Sequence, residues 1–396
     1  MLPRVKINYL NGLLGTVSEN EDGFLALVNN GAAVAQTFAL ETPYTLTSYD
    51  DLTALGITSS NNPAIEKMVR EFYEEPNLDV GTKVIIIAYA NTETMSTLCD
   101  PTTGKLKTFI SSRNGKIRGL VIGRNPASGY NPVTTDGLDA DVFTAMPKAQ
   151  ALAEWAANTL FAPIFVILEG RALVSASALK DISSGTCNRV MIFIGDTISD
   201  SDNAAIGALA GRIASIPVQR SIARVKDGPL YPSAMYIGTT LVENAISDIT
   251  TINDKGYVSI RSFVGKTGYY FTDDKMAVAA TDDYARLANR RVIDKAARIV
   301  YKTMINELND EIEINSDGTM QPGIIKHIQE ECNDAIDSEM TANGNLSAKT
   351  GESGSVCFID ASQNVLSTSQ IEITLKVKPF GYAKEIIVNL GFNVTA

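Results

Sequence analysis

The sequence predicts an α/β fold, α+β overall, in which a mixed sheet flanked by helices carries extended β arms at both ends. Continuous apolar runs, such as residues 84–88 and 164–168, are typical of strands covered on both faces of a sheet. Segments with helical spacing separate such runs up to about residue 215, which favours a mainly parallel sheet. Polar and apolar residues alternate in residues 4–10 and 371–377, which indicates extended segments near both ends.

The first half of the chain alternates between predicted strands and helices. A short helix near residues 48–56 precedes a longer one that starts with Asn62 as N-cap and Pro63 at the first position. Four apolar residues at helical spacing mark one face of the longer helix, namely Ile65, Met68, Val69 and Phe72. The strands are predicted at residues 24–28, 83–88, 120–122, 164–168 and 190–194, and further helices at residues 146–160 and 204–215.

The last third of the chain differs in pattern. Residues 256–263 predict a strand that passes through a glycine bend into residues 269–271. Long helical patterns cover residues 282–308 and 323–340, and a polar loop follows at residues 341–354. The final predicted strands, residues 371–377 and 385–390, are separated by a Pro-Phe-Gly break at residues 379–381.

Composition excludes several classes of partner. The chain has 396 residues, and 34 basic against 45 acidic residues give a net charge of −11, so a general nucleic-acid binder is not expected. The longest apolar run has five residues, at residues 164–168, so we expect no membrane span. The N-terminus lacks an apolar stretch, so no signal peptide is predicted. Four widely spaced cysteines indicate a reduced chain without structural disulfides.

The motifs that could carry chemistry are weak, and we predict no catalytic, cofactor or metal site. Gly265-Lys266-Thr267 resembles the end of a phosphate-binding loop, but Ile260 stands where that loop needs glycine. The only histidine, His327, makes a zinc site improbable, because such sites converge several His or Cys ligands; a partly buried or interface side chain is expected instead. Four acidic doublets match chance or helix N-termini better than a catalytic pair: Asp50-Asp51, Asp273-Asp274, Asp282-Asp283 and Glu330-Glu331.

One basic cluster has two open interpretations. Arg286, Arg290, Arg291 and Arg298 lie on a single predicted helix, together with Lys295 and Lys302. They could form an ion-pairing surface towards another subunit or a solvated helix face. The extended arms also have two interpretations, pairing within their own chain or addition to a neighbour's sheet.

The order of motifs resembles the contractile tail sheath family, which includes phage tails, R-type pyocins and related contractile injection systems. The resemblance rests on residues 23–28, 46–56, 205–212, 253–261 and 284–295, in that order, and continues through the last helix and strands. The compact form and the opening residues 2–7 look most similar to sheaths of Bacteroidetes phage-like systems. A Pro-Ala-Asn element usual in the family is not evident around residues 228–230.

The resemblance implies a homo-oligomeric helical sheath of hexameric rings around an inner tube. In such sheaths a metastable extended state contracts and drives the tube through a target envelope, without catalysis by the sheath subunit. The implied partners are the inner tube protein, baseplate proteins and cap or terminator proteins, with no direct contact to nucleic acid or membrane. The implied location is the bacterial cytoplasm during assembly, and afterwards a phage tail or phage-tail-like particle that is cytoplasmic, membrane-anchored or released.

The resemblance also implies domain boundaries and the residues that contact neighbouring subunits and the tube. We expect an N-terminal β arm at residues 1–22, outer sheath domains at 23–250, a C-terminal sheath core at 251–368 and C-terminal strands at 369–396. The predicted inter-subunit arm residues are Arg4, Val5, Ile7, Tyr9, Ile371, Ile373, Leu375, Ile386, Val388 and Leu390. The predicted tube-facing residues, all on one helix, are Lys326, Glu330, Glu331, Asp334, Asp337 and Glu339. Two other functions stay open: an α/β enzyme with an unrecognised site, and a static shell or capsid protein.

Overall fold

The computed structural model describes residues 21–390. Its strands are β1 (Leu25–Asn30), β2 (Tyr44–Leu46), β3 (Val84–Tyr89), β4 (Gly119–Ile122), β5 (Thr134–Thr135), β6 (Leu138–Asp139), β7 (Phe165–Glu169), β8 (Thr186–Cys187), β9 (Val190–Phe193), β10 (Tyr236–Ile237), β11 (Thr240–Leu241), β12 (Ile260–Phe263), β13 (Lys266–Phe271), β14 (Ala277–Val278), β15 (Ser355–Ile359) and β16 (Ile373–Val377).

Ten α-helices lie between these strands in the described residues. They are α1 (Asp51–Ala54), α2 (Pro63–Tyr73), α3 (Met95–Leu98), α4 (Lys105–Ser112), α5 (Ala140–Thr159), α6 (Ile206–Ser215), α7 (Ile246–Asp254), α8 (Leu287–Met304), α9 (Pro322–Ile336) and α10 (Val365–Thr368). The predicted mixed α/β fold is thereby confirmed. Within residues 21–390, no helix combines the length and apolarity needed to cross a bilayer.

The chain forms two compact units, the first ending at Arg298 and the second beginning at Ile299. The first contains a six-stranded sheet in the order β2-β3-β1-β4-β7-β9, parallel except for the edge strand β2. All residues of β1, β3, β4, β7 and β9 are buried, which explains their continuous apolar sequences.

Helices α2 and α6 pack closely because α6 presents glycine where they meet. A Cβ at Gly207 would lie 2.2 Å from the Met68 carbonyl oxygen, and one at Gly211 would lie 2.5 Å from the Phe72 carbonyl oxygen. Both distances are shorter than any tolerable carbon–oxygen contact. The small residues in the predicted helix at residues 204–215 therefore set the distance between two helices.

Three local predictions are wrong in detail. Asn62 occupies the N-cap position of α2 as predicted, but its side chain makes no capping bond; it instead accepts a hydrogen bond from Ala32 N (2.7 Å) and donates one to Ala32 O (3.0 Å). Pro147 lies inside α5, which begins at Ala140, where the Asp139 carboxylate accepts a bond from Asp141 N. Residues 260–271 form a hairpin, β12–β13, around Gly265 at φ +78°, rather than one bent strand.

The second unit contains α9 and the antiparallel pair β15–β16. Helix α9 ends in a π-helical turn, Asp337–Thr341. One side of α9 is apolar and packed, since Ile325, Ile328, Cys332 and Ile336 are buried. Ile325 and Ile328 pack with Met320 and Ile359 in a small core of this unit.

Candidate assembly surfaces

The pair β15–β16 is a two-stranded sheet with one face packed and one face open. Ser355, Cys357 and Ile359 are buried, whereas Val356 and Phe358 are 65% and 58% exposed. Strand β16 alternates in the same way, with Ile373, Leu375 and Val377 half-buried and the residues between them exposed. The predicted strand at residues 371–377 is thus confirmed in type, and its partner β15 was not predicted.

The two outer edges of this sheet differ. On β15, Cys357 N donates to Asn333 Oδ1 on α9 at 3.0 Å, and Ser355 Oγ donates to the same oxygen at 3.1 Å. Among residues 21–390, β16 pairs only with β15. The edge of β16 is therefore open to another strand, and it carries the predicted arm residues Ile373 and Leu375.

The C-terminal segment carries exposed apolar side chains but forms no strand in the isolated chain. Residues 381–390 contain neither helix nor strand. Ile386, Ile387, Val388 and Leu390 are 80%, 75%, 68% and 94% exposed, respectively. The predicted strand at residues 385–390 is thus not formed here, because nothing in the described chain pairs with it. Such exposure of β-branched residues is characteristic of a segment that is covered by a partner.

The predicted N-terminal arm residues Arg4, Val5, Ile7 and Tyr9 lie outside the described residues. Asp22, the last residue of the predicted arm, is among the described residues. Asp22 Oδ2 lies 2.6 Å from Lys295 Nζ, and Asp22 Oδ1 lies 3.9 Å from Arg298 Nη2, both on α8. Burial lowers the pKa of the Arg298 guanidinium to about 10. Asp22, at the end of the predicted arm, is thus fixed to α8 by ion pairs.

Both interpretations of the arginine cluster are wrong for its two central residues, Arg290 and Arg291, which are buried within the subunit. Arg290 and Arg291 are 7% and 2% exposed, so they form neither a solvated face nor an outward surface. Asp294 receives Arg290 Nη2 at 2.8 Å and Arg189 Nη1 at 3.1 Å. Arg291 Nη2 donates to the Ile216 carbonyl oxygen at 3.1 Å. These contacts fix the first turns of α8 within the first unit.

On α9 the predicted tube-facing residues separate into two groups. Lys326, Glu330, Asp334 and Glu339 are exposed, whereas Glu331 and Asp337 are half-buried. Asp337 Oδ1 accepts bonds from Thr341 Oγ1 (2.6 Å), Ser353 Oγ (2.9 Å) and Gly354 N (3.2 Å). Asp337 therefore organises the following loop, and the exposed acidic residues are Glu330, Asp334 and Glu339.

The position where an α/β enzyme would bind its ligand is filled. Across the sheet the parallel strands lie in the order β3, β1, β4, β7 and β9. After β1 the chain first adds β3 on one side and then β4, β7 and β9 on the other, so the direction reverses between β1 and β4. Ligands of open α/β sheets bind at the carboxyl ends of the strands beside such a reversal. Here Lys67 bridges Glu71 (2.7 Å) and Asp196 (2.6 Å), and Arg124 pairs with Asp139 (3.2 Å).

The remaining space at this edge is a cavity of about 20 Å³, which has room for about one water molecule. Glu71 and Glu169 line it, and burial raises the pKa of both carboxyls. The Lys67 pair ties α2 to the loop after β9, and the Arg124 pair ties the loop after β4 to strand β6. The arrangement therefore contributes to rigidity and leaves no room for a substrate.

The other candidate catalytic groups are not brought together. Lys266 begins strand β13 rather than a helix and is exposed, so no phosphate-binding loop surrounds it. All four cysteines are buried, and burial raises the pKa of the Cys332 thiol to about 12. A buried thiol with a raised pKa is a poor nucleophile.

Comparisons with known proteins agree with the architecture. The structure is similar to the helical sheath of the anti-feeding prophage in its contracted state (TM-score 0.63, 16% identity, 99% of this chain and 99% of that chain). It is similar to the contracted PVC sheath of an extracellular contractile injection system (TM-score 0.62, 15% identity, 100% and 98%). It is also similar to a sheath tail protein from Desulfitobacterium hafniense (TM-score 0.53, 10% identity, 90% and 94%).

The sequence comparisons identify a family. Residues 2–275 match the model of the DUF2586 N-terminal domain, and residues 283–396 match that of the DUF2586 C-terminal domain. No curated protein sequence matches the chain. The predicted resemblance to sheath proteins is confirmed by the structural likeness over nearly the whole length. The chain therefore belongs to the DUF2586 family and has the fold of contractile sheath proteins.

Proposed function

We propose that the chain is the subunit of a contractile sheath that surrounds an inner tube as stacked hexameric rings. The observation that carries this proposal is the open edge of β16 in a chain whose own C-terminal segment exposes apolar side chains. The likeness to two contracted sheaths over nearly the full length supports it. An enzyme is disfavoured because ion pairs fill the ligand position of the α/β sheet.

The arms would link the subunits by strand addition. Residues 385–390 of one subunit, and residues 4–10 of another, add to the β15–β16 sheet of a neighbour through main-chain hydrogen bonds. Each such bond contributes about 0.5–1.5 kcal/mol, so a strand of five or six residues contributes a few kcal/mol. Subunits linked in this way can rotate as rigid bodies during contraction while their strands stay paired.

The tube would contact the acidic face of α9. Exposed Glu330 and Asp334 on this helix, with Glu339 in the π-helical turn that follows it, favour a tube surface with Lys or Arg. Exposed ion pairs contribute only about 0–1 kcal/mol each, which permits release of the tube during contraction. Repetition over many subunits would still favour the extended state. The proposed partners of the sheath are the inner tube, a baseplate at one end and a cap or terminator protein at the other.

Charge reversal on α9 tests the tube contact. The triple variant Glu330→Lys, Asp334→Lys and Glu339→Lys should assemble into sheaths that retain no tube or occur only in the contracted state. Asp337 is left unchanged because its carboxylate holds the neighbouring loop. The measurement is co-purification of the cognate tube protein at low and high salt, with electron microscopy of the particles.

A matched control changes the net charge equally elsewhere in the second unit. The variant Glu311→Lys, Glu313→Lys and Glu352→Lys alters three exposed acidic residues outside α9 and should retain the tube. Equal tube retention by the α9 variant and the parent in extended particles would show that α9 is not the tube contact.

The assembly itself is tested by negative-stain microscopy of the purified full-length chain. Long hollow cylinders support a sheath subunit, and closed shells would favour a static shell protein. Dispersed small oligomers would favour the enzyme alternative. The proposed location is that of the particle: the bacterial cytoplasm during assembly, and then a phage tail or phage-tail-like injection system.

A further inference from the structure

Three potential metal ligands lie close together in the second unit. His327 and Glu331 are four residues apart on α9, and Glu307 lies in the 3₁₀ turn Ile305–Glu307 that follows α8. One ligand atom from each of the three side chains lies within 4.8 Å of the other two. His327 Nε2 is 3.6 Å from Glu331 Oε1.

The backbone around this cluster is fixed by the core of the second unit. Met304, which immediately precedes the turn carrying Glu307, packs against the buried cluster that contains Ile325 and Ile328 of α9. Cys332 Sγ lies 3.7 Å from Met304 Sδ. Packing thus brings Glu307 over the same face of α9 that carries His327 and Glu331, whereas the three ligand side chains themselves can adjust.

The charges of the cluster favour a cation. Glu307 and Glu331 bring two carboxyl groups together beside one imidazole, and a bound cation would offset the repulsion between the two carboxylates. Lys326, the basic residue next to His327 in the sequence, pairs with Glu330 instead, at 3.4 Å. Among the described residues, neither Glu307 nor Glu331 has an ion pair with Lys or Arg.

We propose that Glu307, His327 and Glu331 bind one divalent transition-metal ion of the Zn²⁺ type. Imidazole nitrogen and carboxylate oxygen are ligands of such ions, whereas Mg²⁺ and Ca²⁺ prefer oxygen alone. In a tetrahedral zinc site, bonds of about 2.0–2.2 Å place ligand atoms about 3.4 Å apart. The ligand atoms already lie within 4.8 Å of one another, so small side-chain rotations would be enough to reach that distance. His327 is exposed, so a water molecule or a group from another molecule completes the coordination.

The sequence alone argued against a metal site because the chain has only one histidine. The available signal was the spacing of His327 and Glu331, which places both on one face of a helix. Glu307 could not be added from the sequence, since it comes from a different element. This site does not depend on the proposed sheath function.

Equilibrium dialysis of untagged protein against Zn²⁺ tests the site, with Co²⁺ absorption in the visible range as a second readout. A polyhistidine tag must be absent because the chain itself has one histidine. We expect about one ion per subunit, and His327→Gln should weaken binding by roughly tenfold or more, as should Glu307→Gln and Glu331→Gln. These side chains are not part of the core, so circular dichroism should show folded variants.

The matched control is Glu330→Gln, which removes an adjacent exposed carboxylate on the same helix. It should change the affinity by less than about twofold, since Glu330 is not a proposed ligand. Absence of zinc binding by the parent would overturn the proposal. Equal binding by the parent and His327→Gln would overturn it too, because the ion would then be bound elsewhere.

Discussion

Deleting residues 1–20 should leave a folded, soluble monomer that forms no cylinders. The deletion removes the proposed N-terminal arm and leaves Asp22, which anchors the base of the arm on α8 through Lys295 and Arg298. The first unit should therefore keep its stability, whereas every strand addition by this arm is lost. Light scattering coupled to size-exclusion chromatography, together with negative-stain microscopy, measures the outcome.

A pair of point variants provides the matched control for this deletion. Ile7→Pro removes a main-chain donor and disrupts a strand, whereas Ile7→Thr keeps both the donor and a high β propensity. Only the proline variant should impair cylinder formation strongly. Normal cylinders from the truncated chain would contradict the proposal that this arm connects subunits.

Asp294→Ala should reduce the free energy of unfolding by about 3–5 kcal/mol, because it leaves two buried guanidinium groups without their carboxylate. Asp294 is 3% exposed and pairs with both Arg189 and Arg290. Domains are typically stable by only about 5–15 kcal/mol, so the loss is a large fraction of the total. Urea denaturation followed by circular dichroism measures it.

Two further variants separate the charge effect from other causes. Asp283→Ala removes an exposed carboxylate just before the same helix and should change stability by less than about 0.5 kcal/mol. Asp294→Asn keeps hydrogen-bond acceptance and should fall between the other two. A denaturation midpoint for Asp294→Ala equal to that of Asp283→Ala would show that the buried arginines do not need this partner.

Much of the fold could be predicted because the central strands are buried on both faces. Runs such as residues 84–88 and 190–194 are apolar without interruption, so their type and approximate limits follow from composition alone. Short edge elements were missed, for example β2 and β15, because three to five residues carry little periodic signal.

The surfaces were harder to predict because they depend on contacts between distant residues. The arginines of α8 show helical spacing, but only the structure reveals Asp294, Arg189 and Asp22 as their surroundings. In the sequence, Asp337 cannot be distinguished from the acidic residues near it, and only the structure shows that its carboxylate accepts hydrogen bonds from Thr341 and Ser353. Sequence indicates which side chains are charged, whereas burial and partners come from tertiary packing.

A cryo-electron microscopy map of the assembled particles tests the central claim most directly. We expect each β15–β16 sheet to gain strands from neighbouring subunits, with residues 385–390 of another chain paired in that sheet. Connectivity through the break at residues 379–381 assigns each strand to its chain. A map in which each sheet remains two-stranded, or in which residues 385–390 pair within their own subunit, would contradict the account.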